Sequence, residues 1–93
     1  MFETPDLHLA TWLMCQGGTE CSDIKTQRVR HRNGADSLQS AFVLDTARCA
    51  RSLDALLDTW RKGEALVEPK HYEQERHLLL ANMYQMHAQF KET

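Results

Sequence analysis

Four basic residues stand close together in the first half of the chain, and their spacing suits a binding surface. They are Lys25, Arg28, Arg30 and Arg32, with His31 among them. In an extended strand Arg28, Arg30 and Arg32 would point the same way at intervals of about 6.6 Å, because alternate residues share a face. Such a row of guanidinium groups can bind the phosphates of a nucleic acid or the carboxylates of an acidic protein. The alternative is a solvated edge strand whose charges prevent edge-to-edge aggregation.

A second candidate surface lies near the end of the chain, where Met86 and Phe90 close a stripe at helical spacing. The stripe consists of Tyr72, Arg76, Leu79, Met83, Met86 and Phe90. Flexible thioethers suit either a core or an adaptable binding surface. Because a helix this long would extend past so small a domain, we expect its last turns, near Met86 and Phe90, to contact a partner or a second subunit.

Metal binding is not favoured by the spacing of the cysteines and histidines. Cys15 and Cys21 are separated by five residues, whereas structural zinc sites use close pairs such as C-x2-C. His71 and Glu75 stand at i, i+4, a spacing that more often makes a surface ion pair than a metal site. We therefore expect no metal ligand set.

The sequence also gives little support for a catalytic site. Cys49 would fall in the first turn of a helix, where the dipole can activate a thiol, but it also begins an apolar stripe and is interpreted as an inert core residue. The chain has no nucleophile-elbow motif, phosphate-cradling glycine loop or dinucleotide fingerprint. The expectation is a non-enzymatic protein without a cofactor.

Composition indicates one globular domain spanning 1–93, since 42% of the residues are apolar and 26% are charged. A net charge of −2 argues against attraction of the whole protein to nucleic acid or to an anionic membrane, so any such attraction must be local. There is no apolar run of bilayer length, the first residues are acidic, and three cysteines are an odd number. These features predict a cytoplasmic protein.

The elements needed to position these residues are three helices and a hairpin. The sequence predicts a first helix over about 4–16, two strands within 19–46, a second helix over 47–62 and a third helix over 69–90. Thr4 is the expected cap of the first helix and Gly17 its left-handed C-terminal residue. Asn33-Gly34 suits the turn of the hairpin. The predicted fold is a small α+β domain of order α-β-β-α-α, an antiparallel hairpin covered by helices.

The first strand and the link before the third helix carry further signals. Ile24 and Val29 lie on opposite parities of the first strand, which predicts a bulge or a frayed edge. The link over 64–68 is short and partly apolar, so it is expected to pack in extended form.

Several segments of the chain together resemble a known family. They are Phe2-Glu3-Thr4-Pro5-Asp6-Leu7-His8-Leu9-Ala10, then Gly17, then Phe42-Val43-Leu44-Asp45, then Trp60-Arg61-Lys62-Gly63-Glu64-Ala65-Leu66-Val67-Glu68-Pro69. The chain is similar over roughly 2–86 to a family of short uncharacterised proteins from phages, plasmids and prokaryotic genomes. It departs from that family over Gln27 to Gln39, which is longer and more basic.

The resemblance implies a phage or mobile-element accessory protein that occupies the surface of a host or viral macromolecular complex, in one form as an inhibitor of a bacterial defence system. The predicted partner is a larger protein or nucleoprotein complex, bound through the basic hairpin or the end of the third helix. Direct nucleic-acid binding by the same arginines is the alternative. No membrane partner is expected, and a homodimer stays open.

Overall fold

The protein folds as a three-stranded antiparallel sheet with helices on one face. The computed structural model describes residues 1–92, with the side chains of residues 90–92 outside that description. The elements are β1 (Phe2–Thr4), α1 (Leu7–Met14), β2 (Glu20–Arg30), β3 (Asp36–Asp45), α2 (Leu53–Arg61) and α3 (Pro69–Glu92). The predicted α+β class is confirmed, and the order is β-α-β-β-α-α because a short strand precedes α1.

The short first strand corrects the predicted start of α1. Strand order in the sheet is β1-β3-β2, and Thr4 pairs with Phe42 of β3. Thr4 is therefore part of a strand, and the expectation that it caps α1 was wrong. Asp6 is the cap, because its Oδ1 accepts hydrogen bonds from the backbone N–H of His8 at 2.9 Å and of Leu9 at 3.2 Å.

The hydrophobic core lies between the sheet and the helices, with α1 and α3 packed on the face that β3 and β2 present. Its buried side chains are Leu9, Ala10, Trp12, Leu13, Ile24, Phe42, Leu44, Leu56 and Leu79. The ring of Trp12 packs on Trp60 with centroids 5.7 Å apart, and its Nε1–H donates to the carbonyl oxygen of Leu66 at 3.3 Å. The link over 64–68 packs as expected, because Ala65 and Val67 contact the core.

The second helix is shorter than predicted. It begins at Leu53, where Ser52 caps it by accepting a hydrogen bond from Ala55 N–H at 3.2 Å, so the expected start at Ala47 was wrong. Residues 46–52 form a loop instead. Cys49 therefore does not lie in the first turn of a helix, so the dipole of α2 does not activate its thiol as the sequence suggested.

Two glycines set the corners around the hairpin. Gly18, and not Gly17 as expected, has a positive φ of 94° after α1. At the hairpin end Gly34 has a φ of 83°, while Asn33 stays in the negative region and its Oδ1 accepts from Ala35 N–H at 3.0 Å. The connection is thus a five-residue loop over 31–35. It is not the two-residue turn that Asn33-Gly34 favours.

The hairpin register is regular along most of its length. Pairing continues from Ile24 opposite Phe42 to Arg30 opposite Asp36. The expected irregularity exists, but it is a bulge at Ser22 near the start of β2, outside the segment between Ile24 and Val29.

The third helix begins at Pro69, as predicted, and Glu68 caps it by accepting a hydrogen bond from His71 N–H at 3.0 Å. Leu79 is buried and Met83 packs against the core, which places one side of α3 over β2 and α1. Within residues 1–92 we find no helix that is both long enough and apolar enough to cross a membrane.

Candidate functional site

The candidate site is the half of the β2–β3 hairpin that extends beyond the hydrophobic core. Ile24 and Phe42 are the last buried pair, and the next pair on the same face is Thr26 and Ser40. The Ser40 hydroxyl is hydrogen-bonded to His87 Nε2 at 2.7 Å. This polar contact marks where the core ends and also holds the late turns of α3 against the hairpin.

The structure divides the four basic residues among different surfaces. Arg28 and Arg30 follow Ile24 at even spacing, so they lie on the face of the sheet that carries the helices. Lys25 lies on the opposite face, where its Nζ is 3.4 Å from Glu3 Oε2. Arg32 falls in the loop after β2 ends at Arg30. The expectation of three arginines aligned on one strand was therefore wrong, and the residues surround the hairpin end.

The arginines of the hairpin remain exposed to solvent. Arg30 Nε is 3.5 Å from Asp36 Oδ1, but its side chain is 80% exposed, so this ion pair contributes only tenths of a kcal/mol at most. Arg28 and Arg32 are exposed as well. Their side chains are therefore accessible to an incoming partner.

A shallow cleft opens beside these residues, between the hairpin and the late turns of α3. It has a volume of about 440 Å³ and is lined by Arg28, Asp36, Ser37, Leu38 and His87. A cation, a carboxylate, a hydroxyl and an imidazole thus meet on one open surface. Such a surface suits hydrogen bonding to polar side chains of a partner.

Positive charge is concentrated in the hairpin. Residues 25–38 contain four basic residues and one acidic residue, a net charge of +3. Because the whole chain carries −2, the remaining residues carry −5. The hairpin end is therefore a positive pole on an otherwise acidic protein.

The two residues expected at the end of α3 are not brought to this surface together. Met86 is half-buried and packs against the core, so it offers little of itself to a partner. Phe90 lies in α3, but its side chain falls outside the described residues. Sequence reasoning missed His87, which lies four residues after Met83 and could have been placed on the inward side of α3 by that spacing.

The structure holds its cysteine thiols in partly buried positions. Burial, reinforced by the Glu75 carboxylate, raises the pKa of Cys15 to about 11, which keeps this thiol protonated at neutral pH. Burial also raises the pKa of Cys21. Cys49 Sγ lies 2.9 Å from the Thr19 hydroxyl, in contact with the core. All three thiols are free of disulfides.

Among the side chains that the structure describes, over residues 1–89, no three histidine, cysteine or acidic groups converge as metal ligands would. His71 Nε2 lies 3.5 Å from Glu75 Oε1, which is the surface ion pair that the sequence favoured. Compared with protein-family models, with curated proteins and with solved structures, the chain gives no match in any of the three.

Proposed function

We propose that this protein is a non-enzymatic interaction module that binds an acidic surface of a larger protein or nucleoprotein complex through its basic hairpin. The separation of +3 on residues 25–38 from −5 on the rest carries the proposal. Opposite poles orient a protein as it approaches a charged partner and repel surfaces of the wrong sign. Arg28, Arg30 and Arg32 would then bind carboxylates by paired N–H donors.

A protein partner is favoured over free nucleic acid for two reasons. Residues 25–38 contain no phenylalanine, tyrosine or tryptophan, so the hairpin lacks the large aromatic rings on which single-stranded bases stack. The acidic remainder of the molecule would repel a polyphosphate that extended past the hairpin. An acidic protein surface can match the positive pole and leave the rest of the module in solvent.

Direct nucleic-acid binding is the second candidate. Arg28 and Arg30 share a strand face, which places their Cα atoms about 6.6 Å apart, close to the repeat of a nucleic-acid backbone. Arg32 in the adjoining loop would add a third phosphate contact. This mode requires affinity that falls steeply with salt, because bound counterions are released.

The resemblance to short phage and plasmid proteins supplies the proposed biological setting. A module of this kind would act by covering part of a host or viral complex, and a bacterial defence complex is one target with which that mode of action agrees. The longer, more basic segment from Gln27 to Gln39 is the part in which this chain differs from that family. We assign the specialised contact to it.

The proposal is tested by partner capture from a bacterial lysate with three immobilised proteins, each of them first shown to be folded. They are the wild type, a hairpin variant with Arg28, Arg30 and Arg32→Glu, and a matched variant with Arg48, Arg61 and Lys70→Glu. The two variants have the same net charge, so a difference between them reports position and not total charge. Proteins retained by the wild type and the matched variant should be lost from the hairpin variant. Retention by all three would place the contact elsewhere.

Titration with labelled single-stranded and double-stranded DNA and RNA separates the two candidates. If the module binds a protein, the wild type should show no saturable nucleic-acid binding at low salt. Binding that weakens steeply with salt and disappears in the hairpin variant would instead establish the nucleic-acid alternative.

A further inference from the structure

The outer edge of β2 can accept another strand. In the part of the chain that the structure describes, the sheet has three strands in the order β1-β3-β2, so β2 pairs with β3 on one side and has no strand on the other. Strand β2 has 11 residues, about twice the usual length of a strand. An edge of this length presents a row of backbone groups that can pair with a second chain.

The register of the hairpin identifies the backbone groups that point to this edge. His31 N–H donates to the carbonyl oxygen of Ala35 at 2.8 Å, at the position that continues the pairing of β2 with β3. Because the hydrogen bonds of an antiparallel pair alternate along each strand, the odd-numbered residues of β2 after its bulge bond to β3. The even-numbered residues Thr26, Arg28 and Arg30 therefore direct their N–H and C=O groups outward.

The segment suited to an added strand ends before Ile24. The N–H of Ile24 also points outward by this alternation, but it donates to the Asp23 carboxylate at 2.8 Å. That carboxylate lies at the edge and would repel an acidic group placed opposite it. The segment left for an added strand therefore runs from Thr26 to Arg30.

The charges along this segment favour an acidic strand. Arg28 and Arg30 are exposed on the face of the sheet that carries the helices, and exposed Lys25 precedes the segment on the other face. A second copy of β2 paired over the same segment would set Arg28 against Arg28, which opposes self-association. An extended chain with carboxylates at every second position would instead set two of them opposite Arg28 and Arg30.

We propose that an extended acidic segment of the partner protein adds antiparallel to β2 as a fourth strand, with carboxylates opposite Arg28 and Arg30. This inference rests on the proposed function and specifies how the basic hairpin binds. Backbone hydrogen bonds to residues 26–30 supply affinity, and the arginines select acidic residues at alternate positions. Binding through the arginine side chains alone would place no such demand on the backbone of the partner.

Three synthetic peptides of equal charge test the addition of a strand. The first is Thr-Glu-Thr-Glu-Thr-Glu-Thr with blocked ends, the second has two glutamate nitrogens methylated, and the third has two threonine nitrogens methylated. With glutamates opposite the arginines, the glutamate N–H groups bond to β2 and the threonine N–H groups point away. The second peptide should therefore bind more than tenfold more weakly than the first, and the third should bind within threefold of it.

The outcomes of the peptide titration separate this inference from the proposed function. Equal binding of all three peptides that is lost in the hairpin variant would overturn strand addition and leave acidic recognition by the hairpin standing. No binding of any peptide would also overturn strand addition, whereas partner capture from the lysate decides the proposed function separately.

Residue-resolved hydrogen exchange by NMR gives a second readout on the whole protein. In the free protein the amides of Gln27 and Val29 should exchange slowly, because they bond to β3, and those of Thr26 and Arg30 quickly. Saturation with the unmethylated peptide should slow exchange at Thr26 and Arg30 more than fivefold. Unchanged exchange at these two amides while the peptide is bound would overturn the proposal.

Discussion

Replacing Gly18 with alanine is expected to destabilise the domain severely, because two separate costs fall on one residue. Gly18 has a φ of 94°, a conformation that side-chain-bearing residues rarely adopt. A Cβ built at this position would also meet the backbone carbonyl of Arg48, with its carbon 2.6 Å away, and would lie 2.9 Å from Cys49 N. Backbone atoms cannot rotate away as a side chain can, so the corner after α1 must separate from the loop before α2.

The magnitude follows from adding the two costs. A positive φ costs a residue with a Cβ about 1–2 kcal/mol, and forcing atoms into a packed site costs about 1–3 kcal/mol more. A loss of about 3 kcal/mol is a large fraction of the roughly 5 kcal/mol that holds a domain of this size folded. It corresponds to a drop in Tm of about 12–24 °C.

Thermal unfolding followed by circular dichroism measures the effect against two matched substitutions. Gly17→Ala has open space around its Cβ and no positive φ, so its Tm should stay within a few degrees of the wild type. Gly34→Ala has open space but a φ of 83°, so it should lose about 1 kcal/mol from backbone strain alone. If the Tm of Gly18→Ala is no lower than that of Gly34→Ala, the close contact between Gly18 and the Arg48 backbone is wrong.

Two further predictions concern the core and the thiols. Leu44→Ala should lower the free energy of unfolding by about 3–5 kcal/mol, because Leu44 is fully buried. Leu66→Ala should change it little, because Leu66 is 87% exposed, and equal effects of the two variants in urea unfolding would contradict the packing of the core. With Cys21 and Cys49 replaced by serine, Cys15 should be alkylated at pH 8 about 100-fold more slowly than an ordinary thiol. The reason is that raising the pKa of Cys15 from 9.0 to about 11 reduces the thiolate fraction by that factor. Unfolding in concentrated urea should abolish the difference in rate.

The helices and the hairpin were predictable to different degrees from the sequence. Pro69 fixed the start of α3 because proline suits a first helical turn, and the alternation around Phe42 identified β3. Strand β1 was missed because three residues are too few for a periodic pattern, and its stability comes from pairing with β3. The start of α2 was misplaced because the good helix formers after Thr46 lie in a loop that ends where Ser52 supplies the cap.

The candidate site was likewise only partly predictable from the sequence. The sequence identified the basic residues, but their distribution over the sheet depends on where the strand ends and which residues face the helices. Lys25 falls on the other face by parity, which was readable, whereas Arg32 leaves the strand because the connecting loop has five residues and not two. The contact of His87 with Ser40 joins α3 to the hairpin across 47 positions and could not be placed without the tertiary structure.

Hydrogen exchange of the protein, free and bound to its captured partner, tests the central claim most directly. If the basic hairpin is the binding surface, amide exchange should slow across residues 25–38 in the complex and stay unchanged in α2. Protection confined to α2 or to the loop before it, with unchanged exchange over residues 25–38, would show that the positive pole is not where the partner binds.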